Sequence, residues 1–187
     1  MMKKVFKKAV AVMVLVNLVS LGTAPSLKAM NVGLGGSLIQ TTPYDGKMSE
    51  AGILVDYLPA GRIETAESLF LKARSIRYTS DGTGADHWQS PAETESRWAG
   101  DCEDKAIWLY TQLKMNGYRH VRLVVGRHRS ISSGFHVWVT FSDENGENLY
   151  VLDPTAQKRI WRSEDFAEGT YKPAFSFDGI ARYRHDS

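Results

Sequence analysis

The chain has 187 residues, with 23 Lys and Arg against 21 Asp and Glu and a sequence pI of about 8.6. Five of the lysines lie in residues 1–29, which hold no acid, so the remainder carries 18 basic and 21 acidic residues and a net charge of −3. That balance offers no nucleic-acid footprint, and a single cysteine excludes an internal disulfide.

Lys3, Lys4, Lys7 and Lys8 form a basic n-region, followed by Ala9 to Leu21, a 13-residue and mostly apolar run too short to span a bilayer comfortably. With Ala29 as the cleavage position, residues 1–29 read as a secretory signal, against the plainer reading of a retained anchor. The expectation is a periplasmic or secreted protein with no stable membrane anchor once the signal is removed. Residues 30–60 read as an irregular lead-in, rich in Gly, Thr and Ser, with Ala51 to Leu58 as a short strand or edge segment. Residues 61–187 read as one domain with one core.

Within that domain, Ala66 to Ile76 has helical spacing, with Leu69, Phe70, Ala73 and Ile76 on one face. Tyr78 to Asp86 is a turn-rich linker. Ser90-Pro91 with Glu93 opens a short helix running to Arg97. Asp101 is an N-cap candidate for a longer helix whose stripe holds Cys102, Ala106, Leu109 and Leu113, and Asn116-Gly117 is its stop. After Gly117 the period falls from 3.6 to 2. Val121 to Val125 and Phe135 to Phe141 read as strands around a polar loop, Arg127 to Gly134. Asp143 to Gly146 is a turn, Leu149 to Asp153 a third strand, Ser163 a cap for a short helix to Ala167, and Ala174 to Tyr183 a last strand. Helices followed by an antiparallel sheet make the class α+β.

Cys102 at a helix start is either a small buried hydrophobe or a nucleophile whose thiol pKa the dipole lowers. A nucleophile needs a base and a group to orient it. Of the five histidines, His136 stands on a strand, while His87 and His128 remain competing candidates. If residues 143–146 form a four-residue hairpin loop, Ser142 faces Glu147, and His136 falls directly opposite Asp153 on the face that also carries Trp138 and Val151. A two-residue Asn145-Gly146 turn makes the pair diagonal without changing faces. The plainer reading is an incidental surface His–Asp pair. Asp101, Glu103 and Asp104 crowd three carboxylates around one helix start, which is either a hard-cation site or ordinary capping. Such a cluster opposes the dipole by raising the thiol pKa. For an oxyanion, the Cys102 backbone N–H is one donor, and the Trp88 indole or the Gln89 amide is a second. Either of the latter also serves as plain packing.

The run Gly100-Asp101-Cys102-Glu103-Asp104, preceded by Trp88-Gln89-Ser90-Pro91-Ala92-Glu93-Thr94, resembles the bacterial transglutaminase-like cysteine proteinases. His136-Val137-Trp138-Val139 and Leu152-Asp153-Pro154-Thr155 resemble the wider transglutaminase core, and Tyr171 to Phe177 matches the family's C-terminal segment more loosely. The resemblance covers about residues 65–180. It implies a papain-like transglutaminase core, with the nucleophile helix packed on an antiparallel sheet. It also implies a triad of Cys102, His136 and Asp153 acting through an acyl-thioenzyme. The family's best-known members are periplasmic proteases of surface adhesins, restrained by a membrane receptor, and some bind calcium through acids matching Asp101 and Glu103. A protein or peptide substrate is thus expected. Acyl transfer from a protein glutamine to an amine and a non-catalytic transglutaminase-like binding domain are the alternatives.

Overall fold

A computed structural model describes residues 34–56, 61, 64–82, 84, 86–131, 134–143 and 145–186, so the signal-like segment lies outside the described residues. The helices are α1 (Asp45–Glu50), α2 (Ala66–Ser75), α3 (Pro91–Arg97) and α4 (Cys102–Met115). Strands β2 (Arg77–Tyr78) and β3 (Ala99–Gly100) form a short parallel pair ahead of α4. The other strands are β1 (Ser37–Ile39), β4 (Arg122–His128), β5 (His136–Ser142), β6 (Leu149–Leu152), β7 (Trp161–Arg162), β8 (Tyr171–Asp178) and β9 (Ala181–Arg184). Among the described residues these seven form one antiparallel sheet in the order β1-β9-β8-β4-β5-β6-β7. The fold is α+β, as the change of period implies.

The local signals explain the helix starts. Thr65 accepts from Ser68 N at α2, and Ser90 with Glu93 completes a capping box at α3, where Pro91 takes the first turn. At the far end of α4, Asn116 is the C-cap and Gly117 adopts φ +74°. Leu69, Phe70 and Ala73 of α2 and Ala106, Ile107, Leu109 and Leu113 of α4 are fully buried. They pack with Leu123, Val125, Val137, Val139 and Leu152 from one side of the sheet. The opposite side carries a smaller cluster of Val124, Trp138 and Val151, flanked by Phe166 and Tyr171. α4 therefore covers the Val137 and Val139 face of β5, and strand alternation puts His136 and Trp138 on the other.

Several elements depart from expectation. The lead-in is not irregular throughout: it contributes β1, which pairs with β9, and α1, whose Met48 is fully buried. Ala51–Asp56 is turn and bend rather than strand; residues 57 and 58 are outside the described residues. The loop expected from Arg127 begins later, since β4 runs to His128, and the single last strand is two, β8 and β9. The short helix after Ser163 is a 3₁₀ turn ending at Asp165. The β5–β6 register is that of the two-residue-turn alternative, two residues from the four-residue reading. Ser142 pairs with Leu149, not Glu147, because Asp143 Oδ1 accepts the N–H groups of Glu147 (2.8 Å) and Asn148 (3.2 Å) and draws both into the loop. An even shift keeps every side chain on its face, so His136 and Asp153 become diagonal neighbours on the expected side.

Two features generate tests of stability. Gly126 sits at a β-bulge between β4 and β8, where an added Cβ would lie 2.2 Å from Lys172 O and 2.7 Å from Trp138 Cη2. Gly126→Ala should lower unfolding stability by about 1–3 kcal/mol in denaturant titration. Gly46→Ala in α1, where a Cβ meets nothing within 4 Å, should be neutral or stabilising. Equal losses in the two variants would contradict the close-approach argument.

The second test is pH. His185 Nε2 lies 2.9 Å from Ser176 Oγ, and burial, then the nearby Arg122 charge, pushes its pKa down from 6.5 to about 4. The unfolded chain binds this proton first. The stability contributed by neutral His185 is therefore complete above pH 6.5 and lost progressively towards pH 4. Melting curves across that window should fall less steeply for His185→Gln than for the wild type.

Candidate active site

The approach to α4 is fixed by Asp104. Its buried carboxylate accepts Gln89 N at 2.8 Å on Oδ1, and Gln89 Nε2 at 2.7 Å and Asp101 N at 3.2 Å on Oδ2. The side chain folds directly over Gly100, where a Cβ would meet Asp104 Oδ2 at 2.5 Å, so that position requires glycine. Burial pushes the Asp104 carboxyl up to about 6 despite the Gln89 N–H donor. This third acid of the Gly-Asp-Cys-Glu-Asp run is thus structural.

The same contacts engage the two side chains proposed as oxyanion donors. Gln89 Nε2 donates to Asp104 Oδ2 and to Ala99 O at 3.3 Å. Trp88 Nε1 donates to Asp86 Oδ1 at 3.2 Å, and its ring stacks on Tyr44 at 5.7 Å between centroids. Both residues are buried and serve packing and hydrogen bonding here.

Cys102 is half-buried at the first position of α4. Its Sγ–H donates to Glu103 Oε2 at 3.0 Å, and the sulfur also lies against the backbone N–H of Val137, the residue after His136. No hydrogen bond between the sulfur and the imidazole is found among the described residues; the thiol's partner is Glu103, adjacent in the chain and turned into the same buried space. Nor does the helix start depress the thiol pKa. Burial raises it, the Glu103 charge raises it further, and together they outweigh the Val137 N–H.

Asp101 occupies the N-cap position with extended backbone and is buried. Oxygens of Asp81, Asp101 and Glu103 all lie within 4.8 Å of one another. Burial, then the neighbouring Glu103, pushes the Asp101 carboxyl well above its ordinary range, and Asp101 Oδ1 has no hydrogen-bond partner. Asp101 and Asp104 form a capping box at the start of α4, and beside it the crowded acids with an orphaned buried oxygen fit a hard divalent cation. Asp81 was not foreseen in this cluster. It comes from the linker after β2, where Thr79 N donates to Gly100 O at 3.0 Å and runs that segment alongside the start of α4. An isolated Asp-Gly turn carries no signal for this in the sequence.

On β5, His136 Nε2 lies 2.7 Å from Asp153 Oδ2, and both residues are essentially inaccessible, at 1% and 0% exposure. That excludes the incidental surface pair. Asp153 Oδ1 accepts from Thr155 N and Ala156 N, each at 2.9 Å, and Oδ2 also accepts Tyr171 O–H at 3.0 Å. Burial alone would raise this carboxyl. The His136 bond and charge, with the two backbone donors, outweigh it and hold the group below the usual carboxylate range. Gln157 closes the network by donating to Tyr171 OH at 3.0 Å while its Oε1 accepts Asp153 N at 3.3 Å. Neither Tyr171 nor Gln157 carried a local motif for this role. The competing histidines are placed otherwise: His87 pairs with half-buried Glu93 at 3.3 Å, and the His128 ring meets that of His136 edge-on and that of Tyr171 at a tilt, at centroid distances of 5.9 and 4.6 Å.

No protein-family model and no curated protein sequence matches this chain. Solved structures do. Legionella pneumophila LapG in its EGTA-treated form matches with a TM-score of 0.58 and 23% identity over 79% of this chain and 80% of that one. Its calcium-bound form gives 0.57 and 22% over 79% and 84%, and a further LapG structure gives 0.57 and 23% over 77% and 79%. At this identity the likeness is one of fold: the chain has the α+β fold of LapG.

Proposed function

We propose that this chain is an exported cysteine peptidase using Cys102 as nucleophile, His136 as base and Asp153 as its orienting group. The observation that carries the reading is the buried His136–Asp153 pair, with Cys102 against the backbone of the residue that follows His136. The resemblance around Gly100–Asp104 and the shared fold with LapG support it. With Asp153 ionised and accepting Nε2–H, the imidazole presents Nδ1 as the proton acceptor. In the acylation step the Cys102 sulfur attacks the substrate carbonyl, its proton passing to His136. The C–N bond then breaks as His136 returns that proton to the leaving amine, and water later cleaves the thioester with the same base. Asp153 stays ionised and stabilises the imidazolium. The Cys102 backbone N–H at the start of α4 is the oxyanion donor in this scheme.

Calcium belongs to the same reading. Asp81, Asp101 and Glu103 are the residues that would hold it, and a calcium-bound form of LapG supports the choice of ion. When bound there, calcium supplies neutralisation of the carboxylate charge around Cys102. Export rests on the basic n-region and apolar run of residues 1–29. Processing of a cell-surface protein, under restraint by a membrane receptor, is what the family resemblance adds.

A peptide library incubated with protein and calcium, read by mass spectrometry, tests the chemistry. Cys102→Ala should abolish cleavage and keep the melting temperature, since alanine suits a helix first turn. Asp153→Asn should slow cleavage strongly, on the order of the ~10⁴-fold seen when a triad carboxylate is neutralised. Cleavage that survives Cys102→Ala overturns the assignment. Hydroxamate formed on glutamine side chains with release of ammonia and the backbone left uncut would favour acyl transfer to amines over hydrolysis.

The ion has its own readout. Calcium at about 100 times its dissociation constant should stabilise by about 2.7 kcal/mol, a rise of about 5–10 °C in melting temperature, reversed by EGTA. Asp81→Ala combined with Asp101→Ala should remove the response. A melt indifferent to both calcium and EGTA would leave the three acids without a cation.

A further inference from the structure

The acids and bases of this protein are segregated about the proposed cleft. Asp81, Asp101, Glu103 and Asp104 gather at the start of α4. On the other bank, beside His136, a cavity of about 540 Å³ is lined by Arg127, His128, Arg129, Phe135, Glu168 and Lys172. Its volume lies in the range of ligand pockets, ~300–1,000 Å³. Arg127 and Arg129 come from the end of β4 and the residue after it, and Lys172 from the facing end of β8, where the β4–β8 register pairs Arg127 with Lys172. Two like charges paired across strands repel, and no ion pair to any of the three cations is found among the described residues. Glu168, exposed at the rim, is the one carboxylate among these lining residues. Three permanent cations so placed, in a chain whose net charge beyond residue 29 is −3, form a local field that favours a negatively charged occupant.

The pocket adjoins the proposed chemistry. Phe135 precedes His136 in the chain, and the His128 ring lies 5.9 Å from the His136 ring between centroids. In the scheme above the N-terminal part of the substrate stays on Cys102 as the acyl group, while the C-terminal part leaves as an amine protonated by His136. The leaving half must therefore pass His136. The geometry points to a substrate-recognition pocket in which Arg127, Arg129 and Lys172 receive acidic side chains of a peptide immediately C-terminal to the scissile bond. The direction rests on the peptidase reading; the pocket and its charge do not. The Lys172 stem is positioned for this, since Gly169, at φ +74°, leaves room for it, a Cβ there coming within 3.3 Å of Lys172 Cε.

Two measurements with calcium present test the inference. In the first, cleavage of a degenerate peptide library by the wild type is read by mass spectrometry. Asp and Glu should be enriched just C-terminal to the cut, and Arg129→Ser with Lys172→Ser should reduce that preference by about 5- to 20-fold. In the second, anisotropy follows a fluorescein-labelled peptide, Gly-Ser-Asp-Glu-Asp-Glu, on the Cys102→Ala protein. Binding should weaken with added salt and by a similar factor in the same double substitution, with melting temperature unchanged. Arg127→Ser alone is the second variant, should the double one unfold. Absence of acidic enrichment, or enrichment and binding that ignore these substitutions, overturns the pocket. So does binding to phosphatidylserine-containing vesicles without binding to the peptide, which would assign the cations to a membrane surface. Charge-dependent peptide binding to Cys102→Ala, with no library member cleaved by the wild type, would keep the pocket and sink the peptidase reading.

Discussion

The interaction on which the site depends is the buried carboxylate of Asp104. It collects the backbone and side chain of Gln89 and the N–H of Asp101, and it closes over Gly100. Three consecutive segments, the entry to α3, the strand β3 and the start of α4, are thereby locked together. A buried acid with unsatisfied oxygens would be costly, so these donors are obligatory. They decide where α4 begins, and so where Cys102 stands. Glycine at 100 follows from the same closure.

The second constraint is that α4 lies on one face of β5 while His136 projects from the other. Cys102 and His136 therefore approach each other only around the beginning of the strand, where the sulfur meets the backbone of Val137. The far face supplies what the imidazole needs. Asp153 is held by four donors, from His136, Tyr171, Thr155 and Ala156, and Gln157 braces both Tyr171 and the Asp153 backbone. With each oxygen accepting two of these bonds, the carboxylate stays ionised and faces the imidazole in one orientation. Charge around the cleft then divides, acids crowding the thiol and bases gathering past the histidine. The acids raise the thiol pKa where an unopposed helix dipole would have lowered it, because the Glu103 carboxylate at 3.0 Å acts with the burial of the sulfur.

Much of this was legible in the chain itself. The helices over Ala66–Ser75, Pro91–Arg97 and Cys102–Met115 follow from apolar spacing with Ser90, Asp101 and Gly117 at their ends, all local signals. The shared face of His136 and Asp153 follows from strand parity alone, which is why it is the same for either turn length. What the sequence left open was decided by particular contacts. The register was decided by Asp143 accepting the N–H groups of Glu147 and Asn148. The arrival of Asp81 beside Asp101 and Glu103 was decided by the parallel pairing of β2 and β3. The use of Trp88 and Gln89 as structural donors was decided by where Asp86 and Asp104 came to rest. The face of β5 that α4 covers is the one whose Val137 and Val139 join the larger core. Local propensity and period act over a turn or a strand and can be read in order; they do not choose between competing turn geometries such as that of Asp143, and the contacts of Gln89 and Asp81 at the start of α4 exist only once those segments have packed.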